Sequence, residues 1–177
     1  MDDYAGARIE QWYRAYSNDV YRFLVYYTGR RDTDDLVQET FIRALKAHRQ
    51  SEIVNPRTWL FSIARNVAID EQRKKKLRNW LPDLFLQHLV SSDKTPEESL
   101  ELGENKRMLY DAINQLKRSY RDVLILRGIK GLSSKETAEV LGWSESKVHI
   151  TLHRAMKAVL NRSNPSVTEE MTNAITR

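Results

Sequence analysis

A chain of 177 residues with 41% hydrophobic and 30% charged side chains, six Gly and four Pro holds one ordinary domain or two small ones, and is neither collagen-like nor low-complexity. Without cysteine it has no disulfide framework, Cys-ligated zinc site, iron–sulfur centre, thiol nucleophile or thiol redox sensor, and a reducing cytoplasm is the expected location. Its net charge of +5 is distributed as +4 over residues 1–80, −5 over 81–104, +7 over 105–162 and −1 over 163–177, so two basic blocks flank an acidic connection.

The opening, MDDYAGARIEQW, is acidic and lacks the apolar core of a secretory signal, and no run of about 18 apolar residues follows anywhere. Ile9, Trp12, Tyr13, Tyr16, Val20, Phe23, Leu24 and Tyr27 recur at three- and four-residue steps, which predicts a first helix ending at Gly29. Asp32 to Asp35 place carboxylates at the start of a second helix, where they favour the exposed amide dipoles. Its stripe is Leu36, Val37, Phe41, Ala44 and Leu45, and it fades near His48. Pro56 presets the backbone for a third helix carrying Trp59, Leu60, Ile63, Ala64 and Val67, which runs into the cationic tract at 73–78.

Residues 91–104, SSDKTPEESLELGE, have few apolar side chains to bury and read as a flexible acidic linker. Leu109, Ile113 and Leu116 then mark one helix, and Tyr120, Val123, Leu124 and Leu126 another. Ser133 followed by Glu136 is a capping-box pattern that opens a short helix through Leu141. Gly142 supplies a turn, and Ser144 caps a last helix that buries Val148, Leu152, Ala155 and Val159. The expected fold class is all-α, with two small helical domains at 1–80 and 105–162, a linker at 81–104 and a tail without strong periodicity at 163–177.

The segment from Ser134 to His153 is a helix-turn-helix pattern, with Ala138 small where two helices cross. With the apolar stripe inward, Ser146, Lys147, His149, Ile150, His153, Arg154 and Lys157 face outward. That set suits a major groove: cations for phosphates, Arg154 for guanine and Ile150 for a thymine methyl. The alternative for this face is a solvated surface on an interaction module. His149 and His153 are an i, i+4 pair, but no helical carboxylate completes a metal motif, so no metal site is expected. GIKGLSSKET, at 128–137, lacks the spacing of a phosphate loop. The third helix combines aromatic residues, Asn66 and a cationic run, which suits single-stranded nucleic acid, although core packing accounts equally for Trp59 and Phe61.

Three segments, DDLVQETFIRALKAH (34–48), PRTWLFSIARNVAIDEQRKK (56–75) and AINQLKRSYRDVLILRGIKGLSSKETAEVLGWSESKVHITLHRAMKAVL (112–160), together resemble bacterial RNA polymerase sigma factors of the extracytoplasmic-function (ECF) group. The resemblance implies a sigma domain 2 and a sigma domain 4 and a transcription initiation factor with no catalytic activity, cofactor or small-molecule substrate. It implies that Asp35, Leu36, Gln38, Glu39, Phe41 and Arg43 contact the clamp helices of the largest subunit of core RNA polymerase. It assigns melted minus-10 DNA to His48, Arg49, Asn55, Thr58, Trp59, Arg65, Asn66, Arg73 and Lys74, and duplex minus-35 DNA to the helix-turn-helix. An anti-sigma factor, soluble or membrane-bound, is the implied inhibitory partner.

Many members of that family have Pro where this chain has Lys117, which loosens the expectation of a helix boundary there. The stretch 80–90, WLPDLFLQHLV, is more apolar than a linker needs and suits packing on the first domain, an inhibitory partner or the polymerase channel. Two other classes compete with the initiation factor. One is a one-component regulator that binds duplex DNA alone, with residues 1–80 as a sensing or dimerisation domain. The other is a nucleic-acid enzyme, which the adjacent Asp34 and Asp35 do not support, since neighbours in a helix do not share a face.

Overall fold

The structure, a computed structural model, describes residues 2–30, 32–48, 53–80 and 112–160. Among these the chain is all α. Helix α1 (Asp2–Thr28) packs against α2 (Asp34–His48) and α3 (Pro56–Trp80), which pack on each other. Helix α1 stops at Gly29, whose φ of 70° is left-handed and whose amide still donates to the Val25 carbonyl at 2.9 Å. Helix α2 begins after the buried Thr33, whose carbonyl accepts from Val37 N, and Asp34 and Asp35 lie in its first turn. Asn55 caps α3: its Oδ1 accepts from Thr58 N at 3.2 Å and its carbonyl from Trp59 N at 3.1 Å.

The centre of this three-helix unit is aromatic. Phe23 packs on Tyr27 and Phe61 at ring separations of 5.5 and 5.3 Å, closed in by Leu24, Leu60, Ala64 and Val67. Phe61 is therefore core rather than a stacking platform, and Trp59 is half-buried against Trp12.

In the second block, residues 112–114 are helical and Leu116 lies buried in the turn that follows, so the helix expected through Leu116 ends early; Leu109 lies outside the described residues. The boundary at Lys117 exists without proline: Lys117 itself adopts φ −60°, the value a proline ring would fix, with an extended ψ of 148°. Helix α4 (Arg118–Val123) then widens into a π-helical turn, Leu124–Ile129, closed by Lys130 N donating to the Ile125 carbonyl at 2.8 Å. Hydrophobic periodicity gives no sign of this widening. Where α4 and the π-helical turn meet, three consecutive side chains go to three places: Val123 faces Ala138 and Val148, Leu124 faces Ala155 and Val159, and Ile125 joins the core of α1 and α3.

Helix α5 (Ser134–Leu141) opens with a complete capping box: Glu136 N donates to Ser133 Oγ at 3.1 Å and Ser133 N donates to Glu136 Oε2 at 2.7 Å. It ends on Gly142 at φ 65°, and Ser144 Oγ then accepts from Lys147 N at the start of α6 (Glu145–Leu160). The two blocks share one core, because Ile113, Ile125, Leu126, Leu132 and Val140 pack into the apolar cluster of α1, α2 and α3. The acidic connection at 81–104, the apolar stretch after Trp80 and the tail at 163–177 lie outside the described residues.

Candidate nucleic-acid interface

Helix α6 presents its two faces as the sequence divides them. Val148, Ala155 and Val159 are buried and Leu152 is half-buried, while Ser146, Lys147, His149, Ile150, His153, Arg154 and Lys157 are all exposed. Ile150 is 54% exposed, a large apolar side chain held in water at the middle of a cationic face. Lys147 Nζ lies 4.2 Å from the centre of the Trp143 ring, which orients its charge on the same side. Ala138 and Val148 meet Val123 at the crossing of α5 and α6, so the turn at Gly142 fixes the angle at which α6 is offered.

On α3 the predicted residues separate into two groups. Asn66, Arg73 and Lys74 are exposed along the outer edge. Asn55, Thr58 and Trp59 instead line a cavity of about 490 Å³ with Ile53, Val54 and Ser62, and Thr58 Oγ1 is buried there without a partner. Its opposite wall is α5, through Lys135, Glu136, Glu139 and Val140, and Asn55 Nδ2 donates to Glu136 Oε1 at 3.3 Å. His48 closes α2 beside the Trp12 ring at 4.9 Å and Trp59 at 6.5 Å, so it packs rather than projects; Arg49 lies outside the described residues. Arg65 does not point outward either: its Nη2 donates to Asp122 Oδ2 at 2.6 Å, and its side chain is 18% exposed. Burial opposes the guanidinium charge, but Asp122 outweighs it and raises the Arg65 pKa.

Helix α2 also needs correction. Leu36 and Phe41 are buried, Phe41 edge-on to Tyr13 at 4.9 Å, so they support the outer face from inside rather than form it. The exposed members are Asp35 and Gln38, with Glu39 and Arg43 half-buried and paired at 2.7 Å; Arg43 also binds Asp70 at 2.8 Å. Ile42, 47% exposed, belongs to this face and was missed, although its position off the apolar stripe was the available signal.

Also missed was the polar cluster around Asp122, which is 1% exposed. Tyr27 Oη donates to its Oδ1 at 2.6 Å while Arg65 holds Oδ2. Burial, then the neighbouring carboxylate, pushes the Tyr27 pKa well above its ordinary value. A lone carboxylate immediately before the apolar run Val123–Leu126 was the visible sign.

Residues 12–78 match the family model described as Sigma-70 region 2, and residues 106–159 the one described as Sigma-70, region 4. The chain is 39% identical over 165 residues to the ECF RNA polymerase sigma factor SigX of Bacillus subtilis, covering 90% of this chain and 84% of that protein. The chain belongs to the ECF sigma factors. SigM of the same organism is 34% identical over 159 residues, covering 87% of this sigma factor and 96% of SigM. The fold is shared with the sigma factor RpoE in complex with the anti-sigma factor NepR from Bartonella quintana, at TM-score 0.67 and 24% identity, covering 86% of this chain and 94% of that one. It is shared also with CnrH in complex with the cytosolic domain of CnrY, at TM-score 0.61 and 22% identity over 88% and 89% of the two chains. A sigma factor is an initiation factor, not an enzyme. Among the described residues no helix is long and apolar enough to cross a membrane, and no group of three or more His, Asp or Glu is placed to hold a metal.

Proposed function

We propose that this sigma factor binds core RNA polymerase through the outer face of α2, engages melted minus-10 DNA with α3, and reads minus-35 duplex with α6, acting in the cytoplasm. The observation that carries the reading is the division of α6: three side chains of its apolar stripe are buried while seven polar, cationic or groove-suited ones are exposed on the other side. The polymerase contact reduces to Asp35, Gln38, Glu39, Ile42 and Arg43, a mixed apolar and charged surface of the kind that pairs with a basic and apolar partner helix. Asn66, Arg73 and Lys74 supply an amide and two cations along the exposed edge of α3. Trapping a flipped base costs a few kcal/mol, which pocket contacts offset without nucleotide hydrolysis. Two weak DNA contacts on one chain reinforce each other once both are in reach. The complexes of RpoE with NepR and of CnrH with CnrY support an anti-sigma factor as the inhibitory partner here.

The test is promoter-directed transcription by core polymerase with and without this chain, using the promoter upstream of its own gene. Arg154→Ala is expected to weaken duplex binding by about 1–3 kcal/mol and to relax one minus-35 position. Asn66→Ala is expected to spare duplex binding and slow opening. Equal loss of duplex binding in both variants would sink the division of labour.

A further inference from the structure

The turn between α5 and α6 carries an aromatic residue, Trp143, to which the contacts assigned so far give no role. Its amide donates to the Ala138 carbonyl at 2.9 Å, while the Gly142 amide reaches the Glu139 carbonyl at 3.4 Å. This pair of bonds is the one that closes a helix on a left-handed glycine, and it ties the Trp143 backbone to the last turn of α5. The half-buried indole packs on the cluster of Val123, Ala138 and Val148, so backbone and ring are both anchored. Over that ring, 4.2 Å from its centre, stands Lys147 Nζ.

Helix stability does not call for a lysine at this position. Ser144 Oγ accepts from Lys147 N at 3.3 Å, which places Lys147 in the first turn of α6, where the aligned amides already carry partial positive charge. A cation is unfavourable there, and Glu145 is the first-turn residue that suits the dipole. The same first turn is the part of a recognition helix that enters the groove. A lysine that grips a phosphate from there must also give up the rotamer freedom of a long side chain. The Trp143 ring acts on both terms: its negative face attracts the ammonium, and the contact holds the stem in one arrangement before DNA arrives. An ammonium has three N–H donors, so it can take a phosphate oxygen while it stays over the ring.

We propose that Trp143 is a positioning residue for the minus-35 contact, its ring holding the Lys147 ammonium at the entrance of α6 for a phosphate of the duplex. The inference rests on the reading of α6 as the minus-35 helix, and adds that the turn sets a phosphate contact as well as an angle. A cation–ring contact at an exposed site shifts the population of the held side chain about two- to fivefold, and affinity follows the population that is competent to bind.

The test uses the holoenzyme, core polymerase with the full-length chain, and a fluorescein-labelled duplex carrying the minus-35 region upstream of its own gene, titrated at several potassium chloride concentrations. Trp143→Leu keeps an apolar side chain on the Val123 cluster but removes the ring, and is expected to weaken binding about two- to fivefold. Trp143→Phe restores a ring and is expected to recover most of that loss. Lys147→Gln keeps a polar stem without the charge and is expected to lower the slope of log affinity against log salt by about one. In the Lys147→Gln background Trp143→Leu is expected to cost nothing further, whereas a merely structural role would cost the same factor with and without the lysine charge. In the free wild-type chain the Lys147 ε-methylene proton resonances are expected to be moved upfield by the ring current, a measurement that stands even if Trp143→Leu fails to fold. Equal weakening in both backgrounds, unchanged affinity in Trp143→Leu, no recovery in Trp143→Phe, or no upfield shift overturns the proposal. Arg154→Ala separates it from the reading beneath it: a loss of affinity in Arg154→Ala with none in Lys147→Gln removes the positioning role alone, and a loss in neither removes α6 as the minus-35 helix.

Discussion

Removing the Asp122 carboxylate strikes the most enclosed polar cluster in the described residues. Asp122 is 1% exposed and Tyr27 is fully buried, so neither can turn to water when its partner is lost. Asp122→Ala leaves the Tyr27 hydroxyl without its 2.6 Å acceptor and the Arg65 guanidinium without its 2.6 Å counter-charge. Deleting one member of a buried pair typically costs about 3–5 kcal/mol, and an orphaned buried hydroxyl about 1–3. Arg65 retains 18% exposure and can recover some hydration, which puts the expected total near the lower bound, about 4 kcal/mol. Tyr27→Phe removes only one bond and is expected to cost about 1–2 kcal/mol. Urea unfolding followed by circular dichroism on wild type, both single variants and the double gives the coupling directly. A coupling of about 1 kcal/mol or more is expected from a bond this short and dry. Additivity within about 0.5 kcal/mol would refute the reasoning, since it would mean that the two groups do not meet in solution.

Phe41→Ala is expected to destabilise by about 3–5 kcal/mol because the side chain is core, whereas Ile42→Ser is expected to leave the melting temperature within a degree or two and to weaken pull-down of core polymerase. Gly142→Ala has open space for its methyl group but must hold φ 65°, so about 1–2 kcal/mol is expected from denaturation midpoints. Tyr27 ionises above its ordinary value of 10.0, and because the folded pKa is raised, its contribution to stability is complete below pH 10 and is lost as pH rises beyond. Ultraviolet difference titration of the eight tyrosines is therefore expected to show at least one that stays protonated until the chain unfolds.

Periodicity was a sufficient guide wherever one helix faced one core. The stripes of α1, α2 and α6, the stop at Gly29 and the capping box at Ser133 are all local, and each rule needs only the few residues it names. The stripe also places Leu36 and Phe41 in the core, whereas only the family resemblance offered them as contact residues: an apolar residue on a stripe satisfies the core first and a partner only if the core leaves it out. Ile42 shows the complement: apolar and off the stripe, it is the one left exposed. The π-helical turn was hidden for another reason. It is defined by which carbonyl each amide takes, as where Lys130 N donates to the Ile125 carbonyl, and an apolar stripe carries no information about that choice.

The contact between the blocks was out of reach for the same cause, since Asp19 and Lys130, or Arg65 and Asp122, are ordinary charges until the fold brings them together. Burial alone would raise the Asp19 pKa, but Lys130 and Arg57 hold the carboxyl below its usual range. For Lys130 the balance runs the other way: loss of water, with the nearby charges of Arg57 and Arg22, lowers its pKa against the pull of Asp19. The two directions describe one 2.9 Å pair from its two ends, and the geometry, with Arg57 reinforcing the carboxylate, favours a charged pair at neutral pH. Such a pair specifies where the blocks meet while adding little net free energy, because desolvation cancels much of the attraction. Asp19 remains 37% exposed, so this end of the contact is reachable by water and by competing charge. A contact that is specific in register, weak in net energy and open at one edge is one that competing charge can loosen.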